Sequence, residues 1–122
     1  LAANVDILVV AVPGGANTRH LIGADVFTAM QSHAHLVNIA RGDVVDENAL
    51  ITALQTGQIG GAGLDVYENE PDVPAALLKL NNVTLLPHLG TAALEVRTAM
   101  GMLAVENLRA FFEGDNLPNP VN

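Results

Sequence analysis

The stretch Leu36-Val37-Asn38-Ile39-Ala40-Arg41-Gly42-Asp43-Val44-Val45-Asp46 decides the fold. An apolar run stopped by an arginine and a glycine, and followed by a helix-starting aspartate, reads as a buried strand that ends at the rim of a sheet. In open α/β sheets ligands bind at that rim, beyond the carboxyl ends of the strands. Arg41 is therefore the first candidate site residue. The alternative is a solvated loop residue, since any strand must end in polar sequence.

Upstream, Val5 to Val12 is a continuous, largely β-branched run ending at Pro13-Gly14-Gly15, which reads as an interior parallel strand followed by a loop. The loop from Pro13 to Thr18 is open to two readings, a close approach to a ligand or an ordinary turn. Ala24 to Gln31 is expected to be a short helix with Asp25 near its N-terminus. Downstream of the central strand, at about His35 to Ala40, a helix is expected over Asp46 to Thr56. Asp46 is its N-cap, Ala49, Leu50, Ala53 and Leu54 are its buried stripe, and Gly57 is its stop.

Gly60-Gly61-Ala62-Gly63 leads into a strand, so these glycines are not a phosphate-binding fingerprint, which joins a strand to a helix. An acidic, proline-bounded loop from Tyr67 to Pro74, a helical turn over 75–80 and a strand over Val83 to Leu86 follow. The last strand stops at Pro87-His88-Leu89-Gly90-Thr91. Thr91 is expected to cap a final helix running to about Glu113, with Val96, Met100, Leu103 and Phe111 on one face and Gly114 as its stop. This alternation implies an α/β fold, a parallel sheet with helices on both faces and its strand-to-helix loops on one edge. Three of those loops carry Arg41, Glu70 and His88.

The 122 residues fit a single domain or part of one, and the chain opens at Leu1 without an initiator Met, which reads as a start made by cutting. A net charge of −8 with five Lys plus Arg leaves no footprint for a nucleic-acid backbone or an anionic membrane. A small anionic substrate needs only one well-placed cation. The absence of cysteine agrees with a reducing, cytoplasmic setting, and no run reaches membrane-spanning length. His33 and His35 without a third ligand do not make a metal site, so no metal is assigned. Met30, Met100 and Met102 read as core fillers, and the remaining acids as a solvated surface.

An arginine, a carboxylate and a histidine at strand ends suit reduction of a 2-oxo acid. Arg41 holds the substrate carboxylate and polarises the oxo group; His88 gives a proton to the oxygen; Glu70 orients the imidazole. The hydride then has to come from a cofactor.

The segments Asn38-Ile39-Ala40-Arg41-Gly42 with Val45-Asp46, Gly63-Leu64-Asp65-Val66-Tyr67-Glu68-Asn69-Glu70-Pro71, and Asn82-Val83 with Pro87-His88-Leu89-Gly90 closely resemble the D-isomer-specific 2-hydroxyacid dehydrogenases. The resemblance implies a Rossmann-type nucleotide-binding domain using NAD or NADP, with Arg41 binding substrate, His88 as acid/base and Glu70 supporting it. It further implies that Asp65 contacts the nicotinamide carboxamide, and that Val12, Pro13, Thr18, Ile39, Ala40, Arg41, His88 and Gly90 line the nicotinamide side of the cleft. The ending Asn119-Pro120-Val121-Asn122 also fits the family, and the final helix resembles the one that leads back to its substrate domain.

The family's glycine-rich phosphate loop and substrate domain have no counterpart in the sequence. Residues 1–122 are thus expected to be the C-terminal half of a nucleotide-binding domain, inactive alone, from a parent enzyme of the glyoxylate or hydroxypyruvate reductase type that is a homodimer. Two competing readings are a nucleotide-sensing, corepressor-like binding module without catalysis, and a folding unit that buries its open sheet edge by self-association.

Overall fold

The computed structural model describes residues 1–121, so Asn122 of the family-like ending lies outside the described residues. Two compact units divide the chain, Leu1–Leu89 and a second from Gly90 onward.

The first unit carries the sheet. Its elements in order are β1 (Ile7–Val10), α1 (Ala24–Ala29), β2 (His35–Asn38), α2 (Glu47–Gln55), β3 (Gly61–Leu64) and β4 (Val83–Leu85), with single 3-10 turns at Ala2–Asn4, Gly42–Val44 and Leu77–Lys79. All neighbouring strands are parallel in the order β1-β2-β3-β4. The register aligns Val10, Asn38, Leu64 and Leu85 in one row. Pro13, Arg41, Tyr67 and His88 each stand three residues beyond that row, which brings the expected site loops to a single edge.

The parallel, Rossmann-type sheet is as expected, but its cover within this unit differs from the sequence reading. A one-way strand order with right-handed crossovers puts every crossover on the same face, and covering both faces takes a reversal of order. No reversal occurs between β1 and β4. Accordingly Val10, Leu36, Asn38, Ala62 and Leu64 are buried under α1 and α2, whereas Ile7 and Val9 on the opposite face of β1 are 60% and 53% exposed. The core is closed by Phe27, Leu50, Ile59 and Leu77, side chains that are each about 1.5–3 kcal/mol more favourable buried than exposed.

Helix boundaries follow their caps. The Asp46 side chain accepts the Ala49 N–H at 3.0 Å and starts α2 as expected, with Leu50, Ala53 and Leu54 buried beneath it and Ala49 half-buried; Gly57 takes up φ 69° just past its end. α1 is shorter than expected, because the backbone turns extended at Met30.

In the second unit α3 runs Leu94–Glu113. Thr91 is not its cap: the N-cap is Ala93, with no side-chain hydrogen bond, since Thr91 falls too early to reach the first free N–H groups. Gly114 does stop it, at φ 79°. The expected buried face is absent, for α3 has no buried residue, and Val96, Met100, Leu103 and Phe111 are exposed. Met100 and Met102 are therefore not core fillers, whereas Met30 is. The tail is tied back to α3 by Asn107, whose amide meets both the backbone N–H and the side chain of Asn119.

Candidate active site

The β2 turn is shaped by a buried amide. Asn38 donates through Nδ2 to the Arg41 carbonyl at 3.0 Å and accepts the Ala40 N–H on Oδ1 at 3.0 Å, so one side chain satisfies the polar groups the strand leaves behind. That turn projects Arg41 from the sheet edge, with its guanidinium donating to the Ala40 carbonyl at 2.7 Å. Gly14 lies against it; a Cβ there would be 2.8 Å from Arg41 Cγ.

The next residue fixes the neighbouring loop. A Cβ on Gly42 would fall 1.8 Å from the Tyr67 carbonyl carbon and 2.3 Å from the Glu68 nitrogen, so the two backbones meet at a separation only glycine allows. Behind them the buried Glu47 accepts the Glu68 N–H at 2.8 Å. Burial pushes the Glu47 carboxyl above its ordinary value, with the Glu68 hydrogen bond pulling the other way and the Glu68 charge adding to the rise. The solvated surface expected for this acid is thus wrong: α2 starts over the core and turns Glu47 inward.

Glu70 and His88 are brought together directly. His88 Nδ1 lies 2.8 Å from Glu70 Oε2, while Glu70 Oε1 accepts the Tyr67 N–H at 3.0 Å, so both carboxylate oxygens are engaged. The hydrogen bond to His88 holds the Glu70 carboxyl below its ordinary value, with smaller help from the Tyr67 N–H and from the Arg41 charge, and opposed by burial. His88 sits at φ 55°, in the left-handed region. The pair borders an apolar hollow of about 280 Å³ walled by Pro71, Val73, Leu78, Leu85 and Leu86.

Arg41 opens instead onto a second cleft of about 670 Å³ at the ends of β1 and β2, lined by residues 11–15, Ile39, Ala40, Arg41 and Asp43. Val12, Pro13, Ile39, Ala40 and Arg41 of the expected cofactor set therefore share one cleft. Thr18 does not line it and closes the loop, its hydroxyl donating to the Pro13 carbonyl at 2.7 Å. Asp65 is buried and accepts the Leu89 N–H at 2.7 Å, which fixes the approach to His88. Gly90 opens the second unit.

Sequence reasoning assigned no role to Asn38, Glu47, Glu68, Arg19 or His20. Glu68 Oε1 meets Arg19 Nη2 at 2.9 Å and His20 Nε2 at 2.8 Å. The buried position of an amide in the apolar run 36–40 was a legible signal for Asn38; nothing in the sequence pairs Glu68 with residues 48 and 49 positions away. His33 pairs with Asp6 at 2.8 Å, and among the described residues no group of three side chains is placed to hold a metal ion.

Residues 1–90 match the family profile described as D-isomer specific 2-hydroxyacid dehydrogenase, NAD binding domain. The chain belongs to this dehydrogenase family. Among similar proteins, the glyoxylate/hydroxypyruvate reductase A of Arabidopsis thaliana is 51% identical over 121 residues, covering 99% of this chain and 39% of the relative. The hydroxyphenylpyruvate reductase of Plectranthus scutellarioides is 50% identical over the same shares. A solved NADPH-dependent glyoxylate/hydroxypyruvate reductase from Sinorhizobium meliloti, in complex with NADP and malonate, superposes with a TM-score of 0.96 at 52% identity over 98% of this chain and 38% of that one. The chain thus spans about two-fifths of the length of these relatives. Among the described residues no helix is long and apolar enough to cross a membrane.

Proposed function

We propose that residues 1–122 form the C-terminal, nicotinamide-side part of the dinucleotide-binding domain of an NAD(P)-dependent reductase for small 2-oxo acids of the glyoxylate or hydroxypyruvate type. The observation that carries this is the His88–Glu70 pair at 2.8 Å, with the carboxylate anchored on the Tyr67 N–H and the Arg41 charge close enough to act on it. Fragment coverage of the relatives supports a full-length enzyme that supplies the phosphate loop and substrate domain, and the chain alone is expected to be inactive. Homodimeric assembly and a cytoplasmic location belong to the same proposal.

The cleft fits the cofactor's nicotinamide end. Exposed Val12 and Ile39 give apolar walls for a flat ring, and the missing Cβ of Gly14 keeps the Arg41 stem close to the loop. Val12, Pro13, Ile39, Ala40 and Arg41 would hold the ring from one side, with Thr18 closing the loop, and with Asp65 and His88 completing the set on the sheet unit. When bound, the dinucleotide supplies the hydride.

In reduction, His88 gives its Nε2 proton to the oxo oxygen, and in oxidation it takes the proton back. Glu70, whose carboxyl is lowered chiefly by its hydrogen bond to His88, fixes the ring through Nδ1 and sets a carboxylate beside it. Arg41 binds the substrate carboxylate through its planar fork of donors, a single cation in a chain of net charge −8.

The test is NADH and NADPH oxidation with a panel of 2-oxo acids, using the 122-residue chain beside the full-length protein that carries it. Turnover of glyoxylate or hydroxypyruvate by the full-length protein alone is the expected result. Cofactor binding without turnover of any 2-oxo acid overturns it in favour of a nucleotide sensor.

A further inference from the structure

Three loops meet at the sheet's C-terminal edge: residues 13–22, which border the cofactor cleft; 41–47, which carry Arg41; and 65–71, which carry Glu70. The first joins the second through backbone, His20 N–H to Asp43 O at 2.8 Å and Ile22 N–H to Val44 O at 3.0 Å. The second joins the third at Gly42 and through Glu47. The first joins the third directly at one carboxylate. Glu68 receives Arg19 and His20 on the same oxygen, while its own N–H is held by Glu47.

His20 is at φ 51°, a costly backbone for a non-glycine residue, and this conformation accompanies a ring that meets Glu68 on one side and lies 4.0 Å from Asp46 Oδ2 on the other. The Glu68 side chain is only 17% exposed, so Arg19 and His20 meet it where water is largely shut out. Two residues further along, Glu70 holds His88.

We propose that Glu68 is a positioning residue that sets the distance between the cofactor cleft and the His88–Glu70 pair, with Arg19 and His20 as its two arms. The inference rests on the reading of His88 as proton donor, since a fixed spacing between cleft floor and donor matters only where both face one substrate. A displacement of about 1 Å at a reacting centre is sufficient to cost on the order of 100-fold in rate.

The test combines two measurements on Glu68→Ala, with Glu68→Gln as the conservative variant that keeps an acceptor oxygen. In the 122-residue chain, amide exchange at residues 20–22 is expected to quicken on the order of tenfold while amides of β2 and β3 keep their rates. In the full-length protein, the cofactor KM is expected to rise about tenfold and kcat to fall, Glu68→Gln to recover part of both, and Arg19→Ala to add little to Glu68→Ala. Unchanged exchange at 20–22 overturns the proposal, as does exchange that quickens equally throughout the sheet, which marks a merely structural residue. Local exchange with unaltered kinetics overturns it too. A His88→Gln control separates the two readings: normal turnover in that variant removes the acid/base assignment, whereas the exchange result bears on Glu68 alone.

Discussion

Two histidine–glutamate pairs hang from one short loop and are built alike, yet they are suited to different tasks. His88 with Glu70 and His20 with Glu68 each close at 2.8 Å, and both histidines adopt a positive φ. The difference lies in the second ring nitrogen. Glu70 takes His88 through Nδ1, and the proposed proton transfer would use Nε2; Glu68 takes His20 through Nε2, and Asp46 lies 4.0 Å from Nδ1. A histidine with a carboxylate on one side suits the proposed proton donor, whereas one between two carboxylates suits the proposed clamp.

The sharpest way to break this comparison is to remove each ring. In the full-length protein His88→Gln is expected to lower kcat by about 10²- to 10⁴-fold with the fold intact, the range for loss of general acid catalysis. His20→Gln, read in the same assay, is expected to change kcat/KM by about tenfold or less, mostly through KM. Equal losses from the two would erase the distinction.

Glu70→Gln has a smaller expected effect, a loss in kcat on the order of tenfold, because an amide still accepts from Tyr67 but no longer stabilises a protonated ring. It also carries a pH signature. The Glu70 carboxyl is lowered chiefly by its hydrogen bond to His88, so its folded value lies below the ordinary 4.5. The stability it lends is present above 4.5 and is lost as pH falls through that value toward the lowered one. Glu47, raised mainly by burial, acts in the opposite sense, because protonating it on acidification relieves a buried charge. Urea midpoints of the 122-residue chain measured through the acid range should therefore fall less steeply in Glu70→Gln than in the native sequence. An identical slope in both would show that the pair contributes nothing to folding.

A single Cβ tests whether both pairs depend on one seat. Gly42→Ala puts a methyl into the Tyr67–Glu68 backbone, which must move, at about 1–3 kcal/mol for overpacking of this kind. Thermal unfolding is expected at lower temperature, and the ring resonances of both His20 and His88 should shift. A shift confined to one ring would mean that the pairs are held independently.

These features differ in how far they could be read from the residues. Leu36 to Asp46 was legible as strand, turn and helix start because apolar patterning and an N-cap act locally, and the shared register of β1 to β4 then delivers Arg41 and His88 to one edge. The motifs led to the expectation that Glu70 and His88 meet, and they do so at 2.8 Å. The clamp was not, because Glu68 and His20 are far apart in sequence and each reads alone as a surface residue. The face left open at Ile7 and Val9 was also hidden, since it depends on strand order, which apolar runs do not encode. Likewise α3 has a helical apolar pattern, but pattern alone does not say what covers it.

The smallest expected effect isolates the clamp without touching His88. Asp46 does two things, capping α2 through Ala49 and presenting a carboxylate to His20 Nδ1. Asp46→Ala removes both, and loss of an N-cap costs about 1 kcal/mol, a fall of a few degrees in Tm for a domain this size. Asp46→Asn keeps an oxygen for the Ala49 N–H and removes only the charge beside His20, so Tm should stay near that of the native sequence while the His20 ring resonances move and those of His88 do not. If Asp46→Asn moves both rings, charge is shared across the loop and the separation of donor from clamp fails. If it moves neither, the 4.0 Å approach carries no interaction and Glu68 alone holds His20.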